Sequence, residues 1–313
     1  MSSPTEALRA GLLPGGRSPG GRTGRAAVAR RAGRDLARLP LPSKVGAAVL
    51  LVYLLVAIAG PFVTPYAPDT LLVGPPLAGP SAAHWLGTDE YGRDVLSRLL
   101  AGEQQILLLA LAATAVAIVV GSAIGLYSGY RGGRVDGWLM RAIDLLNSIP
   151  PLIAALVVLS GLGASSLTLL LTIGIVYAPR VTRVVRSVTL DVCATEYVAS
   201  ARARGEGTIS IIRHEVLRNV AGVLLVEAGM RFAFTLTIIA ALAVLGFGAS
   251  PPNPSWGLSI SDGRTYLASA PWITLAPAVA IAVLVIAVNL VTDGIARLSL
   301  DRASIGQVEG AAT

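Results

Sequence analysis

The residues able to do covalent or metal chemistry are few and far apart. The chain has one cysteine, Cys193, one lysine, Lys44, and two histidines, His84 and His214, 130 positions apart. One thiol and two distant imidazoles offer no compact zinc set, and a single cysteine builds no disulfide framework. Ser43-Lys44-Val45 is not a GxxxxGK[ST] loop, so the phosphate-cradling lysine of a P-loop ATPase is missing. Nothing places a serine on a nucleophile elbow with His and Asp around it. What stands out instead is charge in apolar surroundings. Glu227 and Arg231 interrupt the run 220–245, four residues apart with the acid first, a spacing that lets them pair on one helix face. Either charge alone at the centre of a membrane helix costs about 2.5–3.5 kcal/mol. Two readings are open: a pair buried between helices, or a face that lines a path and meets the charged ends of a solute. Asp144 and Asn147 share another face, with Arg141 one turn earlier; Arg141 with Asp144 reads as an interfacial ion pair in preference to a proton relay.

The elements that must position these charges are membrane helices. Of 313 residues, 54% are apolar and only 14% charged, against about 25% charged in a soluble domain; mean hydropathy is +0.69. Crossing a bilayer takes ~20 apolar residues as a helix. Runs at 45–63, 104–130, 220–245 and 272–292 qualify. The uncharged stretch 145–179 is too long for one helix and is divided at Ser160-Gly161-Leu162-Gly163-Ala164-Ser165-Ser166. Six spans result, with both ends on one side. The first run, with Arg30-Arg31 ahead of it and Ala57-Ile58-Ala59 near its end, has the outline of a cleavable leader. A poor twin-arginine match and five further spans favour a retained helix.

Arginine placement orients the bundle. With the N-terminus inside, 21 of the 25 Lys and Arg fall in internal segments, counting Arg180 among them, and Arg93, Arg98 and Arg264 fall outside. Both termini are therefore cytoplasmic by the positive-inside rule. Residues 1–44, rich in Pro, Gly and Ser, hold nine of those basic residues and read as a disordered tail. Beside a span, such a tail points to anionic membrane lipid rather than nucleic acid. On the outside, Thr88-Asp89-Glu90 reads as the cap of a short surface helix bearing Val95, Leu96, Leu99 and Leu100. Pro251-Pro252-Asn253-Pro254 reads as a rigid segment, and Trp256 as an interfacial aromatic.

The most informative cytoplasmic segment is 196–219, EYVASARARGEGTISIIRHEVLRN. It reads as two short helices hinged at Gly205-Glu206-Gly207. The first carries small residues, Ala199, Ser200, Ala201 and Ala203, that another protein can approach closely. The second carries Ile211, Ile212, Val216 and Leu217 at helical spacing. From composition alone, a bland surface hairpin and a docking site remain equally open.

This segment resembles the EAA loop of ABC importer permeases: E-A-A, three residues, G, and an I-x-L-P further on. Ala199-Ser200-Ala201 falls on E-A-A, Gly205 on the glycine, and Val216-Leu217-Arg218-Asn219 on the I-L-P-N of the peptide-importer branch. Ala199 replaces the family glutamate and Arg218 the proline. The resemblance extends over about 84–300. His84 to Arg98, HWLGTDEYGRDVLSR, is similar to the LGTDxxGRDxxSR segment of dipeptide, oligopeptide and nickel permeases of the C type. Gly129 to Asp136, Met140 to Asp144, Ser255-Trp256-Gly257, Ala270-Pro271-Trp272 and Asn289 to Gly294 follow in order.

The resemblance implies an all-α integral membrane protein with the type I importer permease fold and no enzyme activity or cofactor of its own. It divides the chain into the tail 1–44, a first span and outer loop 45–103, a permease domain 104–296 and a cytoplasmic tail 297–313. It implies a second permease subunit, as a heterodimer, and an extracytoplasmic binding protein that delivers solute. Two ATP-binding subunits would dock on Ala199, Ser200, Ala201 and Gly205, and on Ile211, Ile212, Val216, Leu217 and Asn219. Glu227 and Arg231 are candidates for the translocation path, and peptides are the expected cargo. Nickel or another small solute is the alternative within the family, and an ion-coupled secondary transporter the alternative outside it.

Overall fold

The computed structural model describes residues 40–248 and 254–311. Helix follows helix: α1 (Leu41–Val63), α2 (Val95–Arg131), α3 (Gly133–Ser148), α4 (Pro151–Leu162), α5 (Ser166–Cys193), α6 (Glu196–Ala203), α7 (Thr208–Phe247), α8 (Trp256–Gly263) and α9 (Trp272–Ala311). Five of these are long and apolar enough to cross a membrane, and the bent pair α3–α4, counted as one span, makes six. α1 begins at Leu41, ahead of the boundary drawn at 44; the tail residues 1–39 lie outside the described ones, as do Pro251, Pro252 and Asn253. The backbone of α9 stays helical through most of the segment read as a C-terminal tail.

The third span breaks where the sequence reading placed no break. Two consecutive prolines, Pro150 and Pro151, remove two backbone donors, and each forces the residue before it out of the helical region. Ile149 and Pro150 are accordingly extended, with ψ of 126° and 132°, and α4 leaves α3 at 85°. The second break falls at Gly163, φ +81°, inside the expected stretch.

α2 and α5 pack more closely than any composition argument indicates, because Gly121, Gly125 and Gly129 recur every four residues along one face of α2. A Cβ on Gly121 would lie 2.6 Å from Val181 Cβ; on Gly125, 2.8 Å from the Thr182 carbonyl oxygen; on Gly129, 2.8 Å from Thr189 Cβ. Gly174 returns the fit from α5, since its Cβ would lie 2.7 Å from Val116. Small residues let backbones approach where hydrocarbon gives no hydrophobic drive to associate. Two ion pairs then brace α3 against α5: Arg186 grips Asp136 through two bonds of 2.5 Å, and Arg183 reaches Asp144 at 2.5 Å. The expected Arg141–Asp144 pair is absent; Arg141 lies over the Trp138 ring at 5.1 Å.

The outer segment before α2 is a loop cross-linked by backbone hydrogen bonds, such as Leu72 N to the Tyr91 carbonyl and Leu77 N to the Asp89 carbonyl, rather than a surface helix. Thr88 pairs with Asp94 across a turn containing Gly92 at φ +69°, which stops a helix from starting at Thr88. The cap is Asp94, whose carboxylate accepts from Ser97 N at 2.8 Å and contacts His84 Nδ1 at 2.9 Å. Leu96, Leu99 and Leu100 thus belong to the first turns of α2, which at about 1.5 Å per residue is about 55 Å long, well beyond the ~30 Å hydrocarbon core. Trp272 donates to the Thr88 carbonyl at 3.2 Å. Trp256 is buried, 2% exposed, and donates to the Leu99 carbonyl at 2.7 Å, so it is a packing anchor and not an interfacial residue. Asp89, Arg93 and Arg98 cluster beneath the loop with Glu90 and Asp262. Burial raises the Glu90 and Asp262 carboxyls above their ordinary range, and the neighbouring Asp89 adds to both shifts.

Candidate functional site

The 196–219 segment folds as two helices around a turn, and the turn has a definite hydrogen-bonding logic. α6 ends at Ala203; Gly205 follows at φ +77°, the left-handed region. Glu206 N donates to the Ala201 carbonyl at 3.2 Å and Gly205 N to the Arg202 carbonyl at 3.0 Å. That crossed pair is a Schellman motif, which satisfies the last helical carbonyls and favours glycine because a Cβ is strained at positive φ. An added Cβ there would meet nothing within 4 Å, so backbone conformation alone demands glycine within this chain. α7 then starts at Thr208 and passes through a π-turn at Ile212–Val216 before continuing as the fifth span.

The expected docking residues divide into two sets. Ala201, Ile211 and Val216 are fully buried, together with Val198, in the main core that also holds Leu126 and Val185. They fasten the hairpin to the bundle and present nothing outward. Ile212 and Leu217 are half-buried against the same core. Ala199, Ser200 and Gly205 are exposed. Tyr197 and Ile209, absent from the expected set, are exposed too, Ile209 at 82%. Asn219 is exposed, and its Nδ2 turns back to the Glu215 carbonyl at 2.6 Å. The available surface is therefore built of small residues with Tyr197 and Ile209, and Arg202, Arg204 and Arg213 of the same segment are exposed as well.

Glu227 and Arg231 form the anticipated pair, with Arg231 Nε 2.6 Å from Glu227 Oε1. Glu227 is 1% exposed, and its second oxygen is buried with no partner among the described residues. The sequence reading missed what surrounds them. Arg231 lies 5.4 Å from the Phe234 ring and 6.0 Å from the Tyr177 ring of α5, and Arg180 lies 5.7 Å from that same Tyr177 ring. Phe234 could have been found at i+3 from Arg231. Tyr177 could not, because it comes from another helix. Arg180, counted above with the internal segments, is near the middle of α5.

Comparison with known proteins places this architecture. As a fold, it is similar to a chain of the MetNI methionine ABC transporter solved in inward-facing conformations, at a TM-score of 0.53 and 17% identity over 64% of this chain and 95% of that one. A family model described as the inner membrane component of binding-protein-dependent transport systems matches residues 121–304. Similar curated proteins include the probable D,D-dipeptide transport system permease protein DdpC of Escherichia coli K12, 36% identical over 81% of this chain and 86% of its own length. The dipeptide transport system permease protein DppC of Alkalihalophilus pseudofirmus is 34% identical over 80% of this chain and 83% of its own. The glutathione transport system permease protein GsiD of Pectobacterium atrosepticum is 34% identical over 80% and 84%. The chain belongs to the family of inner membrane components of binding-protein-dependent transport systems. It is a multi-pass membrane protein and a transporter subunit.

Proposed function

We propose that this chain is one of two permease subunits of a peptide importer, paired with a second, similar permease, served by an extracytoplasmic binding protein and driven by two ATP-binding subunits. Likeness over four-fifths of the chain to permeases of dipeptides and glutathione carries the choice of cargo. The exposed hairpin face supports the mode of coupling: Ala199, Ser200 and Gly205 leave room for a partner's backbone, and the underside is locked into the core so that a push on α6 and the start of α7 reaches the bundle as rigid-body motion. Closure of the ATP-binding subunits would shift the bundle between outward-open and inward-open states by favouring one over the other.

The test is reconstitution. The chain, purified with its co-purifying subunits and placed in vesicles, should import labelled dialanine only with ATP inside and the binding protein outside. Nickel uptake in place of dialanine would reassign the cargo. Accumulation driven by an imposed ion gradient, with the ATP-binding subunits absent, would replace the whole mechanism by secondary transport.

A further inference from the structure

Charged side chains within membrane spans face the bundle interior or a water-filled path, because hydrocarbon cannot solvate them. Here two arginines and one glutamate lie around the Tyr177 ring near the middle of α5 and α7, two basic side chains to one acidic. Arg231 spends one donor, Nε, on Glu227. Among the described residues the remaining four N–H groups of its fork make no hydrogen bond, and none of its nitrogens is among the sealed, unpartnered atoms, so the fork reaches a surface. Arg180 has no carboxylate partner among the described residues; its guanidinium lies 5.7 Å from the Tyr177 ring. Both guanidinium groups thus lie within 6.0 Å of one buried tyrosine ring, and Arg231 also lies 5.4 Å from the exposed Phe234 ring. A planar fork held by a carboxylate at one edge and open at the other binds a second carboxylate through two parallel bonds.

We propose that Arg231 and Arg180, gathered around Tyr177, form a carboxylate-binding point within the membrane that takes the C-terminal carboxylate of the cargo in transit, with Glu227 as a positioning residue for Arg231. The inference rests on the peptide reading above and deepens it. The exposed Phe234 ring offers a flat apolar wall to the side chain next to that carboxylate. Arg231, fixed through Nε, offers specificity, and Arg180 adds charge.

The experiment compares uptake of dialanine with uptake of dialaninamide, which lacks the carboxylate, in vesicles holding the assembled complex. Each probe is presented at a concentration that saturates the binding protein, so discrimination at delivery is common to all variants. Arg180→Gln leaves no carboxylate orphaned, and Glu227→Gln with Arg231→Gln removes both charges of the pair together. In each, the dialanine-to-dialaninamide uptake ratio should fall from the wild-type value, by about tenfold or more in the double variant, the scale of a lost charge-assisted hydrogen bond. Arg231→Lys, which keeps the charge but not the fork, should fall between. Ratios within twofold of wild type in assembled Arg180→Gln and Arg231→Lys complexes overturn the proposal, as does an equal loss of both probes. A wild-type complex that imports neither probe overturns the peptide reading, and this assignment with it.

Discussion

At Gly205 one backbone angle decides whether α6 can end where it does. A side chain at φ +77° costs about 1–2 kcal/mol, and asparagine suffers least because its short amide tolerates the left-handed region. Gly205→Val should therefore loosen the hairpin and reduce co-purification of the ATP-binding subunits with the tagged chain, while Gly205→Asn keeps most of it. Full co-purification and full uptake with Gly205→Val would reject the docking role. Several residues were legible at this scale: the glycine, the small residues before it, and the i,i+4 pairing of Glu227 with Arg231 are all local patterns. Which of the expected docking residues face outward was not. Ala201 and Ala199 are equally small, but the bundle covers one and leaves the other bare.

At the scale of helices, the contact between α2 and α5 depends on missing side chains. Gly125→Ala would bring a methyl group to 2.8 Å from the Thr182 carbonyl oxygen and 2.9 Å from Val185 Cβ, so the helices must part, at a cost of about 1–3 kcal/mol. Gly137→Ala, in α3 with nothing within 4 Å of its added Cβ, should instead be neutral or stabilising by up to about 1 kcal/mol. Thermal melting of the detergent-purified chain separates the two; equal effects would mean the glycine stripe does not set the packing. The outer loop yields a second expectation. Glu90 and Asp262 have raised pKa values in the folded state, so the folded loop binds more protons than the unfolded one between the ordinary carboxylate range and those raised values. Stability in that window falls as pH rises. Hydrogen exchange across 64–94 should slow as pH is lowered through it, after correction for the intrinsic pH dependence of exchange, and Asp262→Asn should flatten the change. A corrected rate that is flat in the unaltered chain would refute the assignment.

For the whole molecule, the arginine count makes a prediction independent of any likeness to other proteins. With Cys193 replaced, a cysteine at the exposed Ser81 should react with an impermeant thiol reagent on intact cells, and one at the exposed Ile209 only after permeabilisation. Labelling in the opposite order would invert the topology.

Span number, the helical hairpin at 196–219 and the family motifs are properties of neighbouring residues, and they could be read along the chain because hydropathy and turn chemistry act locally. Even the local reading failed where two local signals competed. Thr88-Asp89-Glu90 has cap residues, but Gly92 at positive φ and the Thr88–Asp94 pairing moved the cap to Asp94. Pro150 and Pro151 break the run 145–179 near its start, a local signal that charge and apolar length do not carry. The rest was decided by how each helix is rotated about its axis and how closely it lies to the next. That rotation gives Asp144 to Arg183 instead of Arg141, buries Trp256 against Leu99, and brings Arg180 of α5 and Arg231 of α7 to one tyrosine ring. Apart from Arg180 and Tyr177, which are neighbours one turn apart on α5, these contacts join residues 39 to 157 positions apart, and no spacing rule reaches that far: they exist only once glycine stripes and proline bends have set the helices against one another.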